Sequence, residues 1–184
     1  MINLDLSCSD AWEEAFAAAR ADNKSSIKYI KHLTLEENQG VFIHKKVSQK
    51  LGQFFQGRFV ELLKSVNSSA QDLRVGLLVD FSTDNAVGEL KAQANTDNSS
   101  SKARNIQKLR EAAGDTKQMI YGYWKTQCKK VEDGIHYLGG EYLFSHFGIQ
   151  HLYTQFMEEI DDLERQLFDV YREQFQRRYT AELN

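Results

Sequence analysis

A chain of 184 residues, 41% apolar and 27% charged, is long enough for one domain with a full core and lacks the balance of a disordered tail. No apolar run approaches the ~20 residues that span a bilayer, and the start MINLDLSCSDAWEEAF carries acids with no basic stretch. Neither a membrane nor a secretory or mitochondrial signal is expected, and a cytoplasmic location is. A net charge of −3 argues against nonspecific coating of nucleic acid but leaves room for a local basic groove. Cys8 and Cys128 are far apart without CxxC spacing and read as free thiols. Proline is absent, which excludes PxxP ligands and stiff proline linkers.

In chain order, Asp10 to about Ala21 reads as an alanine-rich helix capped by Ser9 or Asp10, and Ser25 to Leu33 as a second helical segment. VSQKLGQFFQGRFVELLKSVN places Val47, Leu51, Phe54 or Phe55, Phe59, Leu62, Leu63 and Val66 at helical spacing. DLRVGLLVDFS then reads as one strand, Thr83-Asp84-Asn85 as a turn and AVGELKAQA as its hairpin partner. NIQKLREAAGD is a short helix closing on Gly114, and KQMIYGYWKTQ is a strand. Strand, helix, strand in that order predicts a right-handed crossover and a mixed sheet. GIHYLGGEYLFSHFGI is expected to form a strand or turn and a short helix. From Ile149 to about Ala181 a long helix carries Leu152, Phe156, Ile160, Leu163, Leu167, Val170 or Tyr171, and Phe175 on one stripe. The expected architecture is α/β: a mixed central sheet flanked by helices with a long C-terminal helix. It forms one domain over residues 1–184, helical at about 1–68, sheet at about 72–127 and helical again at about 140–181.

A hairpin turning at Thr83 to Ala86 sets Ser82 against Val87, Phe81 against Gly88 and Asp80 against Glu89. Opposed residues lie about 5 Å apart at Cβ, so two carboxylates converge, and a divalent cation is the natural partner for them. Lys91 returns to the same face by the period of two, and the Leu90 carbonyl could add a ligand. Two carboxylates, a lysine and a cation are what phosphodiester hydrolysis needs. The bland alternative is an exposed Glu/Lys strand face beside a charged turn. The tripeptide itself is common: Asp22-Asn23-Lys24 and Asp115-Thr116-Lys117 match it too, but in turns or helix ends.

DFSTDNAVGELKAQANTDNSSS resembles the PD-(D/E)XK nuclease signature in the form found in small type II restriction endonucleases. ELKAQANTDNSSSKARNIQKL is similar to the GGNCC-cutting group, where ExK precedes an Asn-Thr-x-Asn-Ser-Ser run. The resemblance covers Asp80 to Gly114 in motif and the rest in pattern. Val79 stands where the signature has proline. Asp72, Asp80 and Asp84 all precede Glu89, and Asp80 is the choice for first acid. The resemblance implies a Mg²⁺-dependent, site-specific endonuclease of double-stranded DNA that works as a homodimer. Asp80, Glu89 and the Leu90 carbonyl would hold the metal, with Lys91 at the attacking water. A glutamate on the preceding helix can join such sites; Glu61 matches, and a surface contact with Lys64 is the equal alternative.

Asn95, Thr96, Asn98, Ser99, Ser100 and Ser101 follow the catalytic strand as a loop, with Lys102, Arg104 and Lys108 behind them. Amides and hydroxyls read base edges and cations hold phosphates, so this segment is the candidate DNA contact. His44 with Lys45 and Lys46 reads more readily as a solvated face, and Tyr121, Tyr123 and Trp124 as core. Alternatives to a restriction enzyme are a repair or junction-cutting nuclease of the same superfamily, and a non-catalytic helical adaptor.

Overall fold

A computed structural model describes residues 33–73, 79–92 and 99–183. The two expected N-terminal helices and Cys8 lie outside the described residues. The chain divides into two compact units, residues 55–156 and residues 1–54 with 157–184.

The central unit holds a six-stranded sheet in the order β1-β2-β3-β4-β6-β5. Its strands are β1 (Gln71–Asp72), β2 (Phe81–Ser82), β3 (Ala86–Lys91), β4 (Gln118–Tyr123), β5 (Cys128–Glu132) and β6 (Ile135–Gly139). The β3–β4 and β4–β6 pairs are parallel, and β1–β2, β2–β3 and β5–β6 are antiparallel. The mixed sheet is therefore as expected, and β3 joins β4 through helix α2 (Ser99–Ala113), which ends at Gly114 with φ 55°. Only glycine adopts that left-handed value at little cost, so the expected stop is where the helix stops.

Two expectations need correction. The segment read as one strand from Asp72 to Ser82 is two, because Gln71 pairs with Ser82 and Asp72 with Phe81. The chain reverses within it. Second, CKKVE is a strand, closed onto β6 through Asp133-Gly134 with φ 51° and 77°. Positive φ at both loop positions is the geometry of a type I′ hairpin, for which Asp-Gly is a favoured pair.

The sheet packs differently on its two faces. Val87, Tyr121, Tyr123, Ile135 and Tyr137 form one cluster with Leu109 and Ala113 of α2. On the other face Phe59 meets Phe81, Phe144 and Phe147 edge to face, with centroids 5.4–5.8 Å apart. Phe59 belongs to helix α1 (Leu35–Val66), and Phe144 to the short helix α3 (Glu141–His146). Gly88 makes room for this layer, since a Cβ there would fall 2.0 Å from the Phe81 ring.

In the other unit, α1 begins earlier than its apolar spacing predicts. Thr34 and Glu37 form a capping box: the Thr34 N–H donates to Glu37 Oε2 (2.7 Å) and the Glu37 N–H to Thr34 Oγ1 (3.2 Å). Ile43, Val47 and Leu51 are buried on α1. The long C-terminal helix α4 (Tyr153–Leu183) buries Ile160, Leu163, Leu167, Tyr171 and Phe175 in this unit, the predicted stripe. Phe42 packs on Tyr171 and Phe175 at 6.3 and 5.7 Å. No helix among the described residues is long and apolar enough to cross a membrane.

Candidate functional site

The β2–β3 register is the one the turn predicts: Phe81 lies opposite Gly88 and Ser82 opposite Val87. Thr83 sets it, its N–H donating to the Ala86 carbonyl (2.7 Å) while its hydroxyl accepts from the Ala86 N–H (3.0 Å). The regular pairing ends at Phe81: the Asp80 N–H donates to the Gly88 carbonyl (2.9 Å), one residue off the register, so Phe81 and Asp80 both face Gly88 as in a β-bulge and Asp80 is not set opposite Glu89 in the ladder. Asp84 sits in the turn, and Asp72 sits on β1 with β2 between it and β3. The position of Asp80 therefore distinguishes it from both other acids.

Asp80 Oδ2 accepts a hydrogen bond from the Leu90 N–H at 2.7 Å. Glu89 is only 7% exposed, and its carboxylate is ion-paired with the Lys91 ammonium on the same face of β3. The Asp80 carboxyl is pushed up to about 6, first by burial and then by the neighbouring Glu89 charge. The Leu90 N–H, Lys91 and Gln56 pull it the other way without cancelling the rise. Asp80 thus sits where burial and the neighbouring Glu89 charge oppose its ionisation.

The helix residue that reaches this place is Gln56 of α1. Its side-chain amide donates to the Leu90 carbonyl (3.4 Å) and also hydrogen-bonds Asp80. Sequence reasoning missed it, and no local signal marks it, because its Leu90 partner lies 34 residues away on β3. Glu61, the expected helix acid, is ion-paired with the Arg58 guanidinium at 2.9 Å. That is an i,i+3 contact along α1.

Across β3, Glu89 lies beside Tyr121 and Lys91 beside Tyr123. Both tyrosines and Trp124 are buried, so their reading as core holds. Asn95, Thr96 and Asn98 lie outside the described residues. Ser99, Ser100, Ser101, Lys102, Arg104 and Lys108 are all on α2, which starts at Ser99, so the expected loop is shorter than its polar run. Lys102 turns toward the sheet, its Nζ 5.1 Å from the Tyr137 ring centroid. Arg104 and Lys108 are one helical turn apart on another side, so the three cations do not form one patch.

Among the described residues no group of three or more His, Cys, Asp or Glu side chains converges as a metal cage. Asp80 and Glu89 with the Leu90 carbonyl are an all-oxygen set, which suits Mg²⁺ because that ion keeps several waters and takes one or two carboxylates. No protein-family model, curated protein sequence or solved structure matches the chain.

Proposed function

We propose that the protein is a Mg²⁺-dependent endonuclease that hydrolyses phosphodiester bonds in double-stranded DNA at specific sites, as a type II restriction enzyme does. The observation that carries this reading is the convergence of Asp80, Glu89, the Leu90 carbonyl and Lys91 at one end of β3. Asp80 and Glu89, with the Leu90 carbonyl, would hold the cation. When bound, Mg²⁺ supplies neutralisation of the charge that builds on the phosphate oxygens.

The protein's own groups have distinct tasks. The Lys91 ammonium is ion-paired with the Glu89 carboxylate. In the proposed reaction Lys91 would lie toward the scissile phosphate and orient the attacking water. Gln56 keeps the Leu90 carbonyl and the Asp80 carboxylate aimed at one point. The polar segment from Asn95 into the first turn of α2 would read the bases, and Lys102, Arg104 and Lys108 would meet phosphates. A homodimer supplies two active centres for the two strands of a palindrome.

Purified protein incubated with unmethylated phage DNA tests the reading, with Mg²⁺, with EDTA, and beside a Lys91→Ala variant. Discrete fragments that need Mg²⁺ and vanish in the variant support it. A Mg²⁺-dependent smear would point to a repair or junction nuclease, and intact DNA across salt conditions and DNA sources would contradict nuclease activity.

A further inference from the structure

Strand β5 ends the sheet, with β6 on one side, and Lys129, Lys130, Val131 and Glu132 along it are all exposed. Among the described residues Val131 is the most exposed of the large hydrophobic ones, at 63%. The hairpin fixes which backbone groups face outward. A two-residue loop closes on a hydrogen-bonded pair, here Glu132 with Ile135, and such pairs alternate along an antiparallel ladder. Glu132, Lys130 and Cys128 therefore direct their backbone groups to β6, and Val131 and Lys129 direct theirs away from it.

The residues along this edge, Lys129-Lys130-Val131-Glu132-Asp133, are antisymmetric in charge about Val131. We infer that the β5 edge pairs with the β5 edge of a second copy, antiparallel about a two-fold axis through Val131, so that the sheet continues across the dimer. In that register Val131 meets its own copy as a hydrogen-bonded pair, which uses the outward backbone groups. Lys130 meets Glu132 of the other copy twice, at the closer non-hydrogen-bonded positions, and Lys129 stands level with Asp133. A two-fold centred on Lys130 also satisfies the backbone but sets the two Lys130 ammoniums against each other. An odd shift pairs outward with inward backbone groups and makes no ladder.

Lysines on an edge strand commonly prevent sheet extension. Here that purpose is undone, because the same edge carries the matching acids at mirror positions. The Lys130–Glu132 ion pair within one copy, 2.7 Å, shows that the two side chains already lie on one face, ready to exchange partners. The inference rests on β5 and not on the nuclease reading, although it supplies the two-fold that reading calls for.

Sedimentation equilibrium of the full chain without DNA tests it, using wild type, Lys130→Glu, and the double variant Lys130→Glu/Glu132→Lys. The single reversal sets a carboxylate against Glu132 of the other copy twice, and the double variant restores opposite charges in mirror image. The expected result is a wild-type dimer, a dimer constant weakened about tenfold or more in the single variant, and recovery in the double variant. High salt should narrow the difference. A monomer at all concentrations, a dimer indifferent to Lys130→Glu, or a double variant as weak as the single one would each overturn the inference. Because these arms contain neither DNA nor metal, their outcome is separate from that of the cleavage assay.

Discussion

Strand β3 begins at a turn where Thr83 serves as donor and acceptor to Ala86 and as acceptor to Asn85, and it ends where Asp80 and Glu89 hold like charges together. The first end is built for folding. Its hydroxyl and backbone groups answer one another, and the Gln118 N–H ties the Asn85 carbonyl to the start of β4 at 2.8 Å. The second end costs stability, since burial and a neighbouring anion both oppose ionisation of Asp80. Well-folded chains often keep such conflicts where chemistry needs them, and on the proposed reading the second end is the working half of β3.

The largest expected effect breaks the working end. Lys91→Ala should lower the rate of DNA cleavage about 10²- to 10⁴-fold, measured at 25 °C in samples whose far-UV circular dichroism matches wild type. A change of less than a few-fold would remove Lys91 from the chemistry.

Next comes the packing on the opposite face. Gly88→Ala places a methyl 2.0 Å from the Phe81 ring, within an aromatic layer that includes Phe59 and Phe147. Overpacking of this kind should destabilise by about 1–3 kcal/mol or more in urea unfolding.

Asp80→Asn should act with the opposite sign on stability. The folded chain holds the Asp80 proton up to about 6, whereas the ordinary value is 3.8, so the folded state binds more protons between those limits. Stability contributed by this group is then full below about pH 4 and falls as pH rises, with the whole penalty present above about 6. That penalty is up to about 3 kcal/mol. The variant should therefore be more stable than wild type at pH 7.5, lose the advantage toward pH 4, and fail to cleave DNA. Thermal unfolding across that pH range checks it, and an unchanged pH profile would contradict the electrostatic conflict.

The smallest effect sharpens the contrast from the other end. Thr83→Ala removes the hydroxyl that accepts from the Asn85 and Ala86 N–H groups, and should cost about 1 kcal/mol while leaving cleavage intact. A loss of cleavage beyond the loss of folded protein would mean that the two ends are not separate.

Much of this was legible in the sequence, for reasons that particular residues explain. Thr83-Asp84-Asn85 is turn chemistry, and with a period of two it fixes Ser82 opposite Val87 and Phe81 opposite Gly88, whereas the off-register bond from the Asp80 N–H to Gly88 was not legible in it. The parallel β3–β4 pair follows from a helix between two strands, and Gly114 from the conformation a helix end requires. The β5–β6 hairpin was less visible because CKKVE has no buried side to alternate against, and only Asp133-Gly134 announced it. The reversal before β2 was hidden by a continuous apolar run, Val75-Gly76-Leu77-Leu78-Val79, which reads as one strand. The early start of α1 was present as Thr34-x-x-Glu37, outside the apolar pattern that drew the helix. Gln56 belongs to a different class: an amide on an amphipathic helix says nothing of itself, and only the packing of that helix on the sheet gives it Leu90 and Asp80 as partners. Glu61 illustrates the converse, an acid in the right helix whose carboxylate answers to Arg58.

The central claim, that Asp80 and Glu89 form a cation site, is tested most directly by titrating Mn²⁺ into the full chain at pH 7.5 and following the free-ion electron paramagnetic resonance signal. Mn²⁺ takes the same oxygen donors as Mg²⁺ and can be counted. One ion bound per chain in wild type, lost in both Asp80→Asn and Glu89→Gln, is the predicted result. No bound ion in wild type, or binding that survives both substitutions, would contradict it.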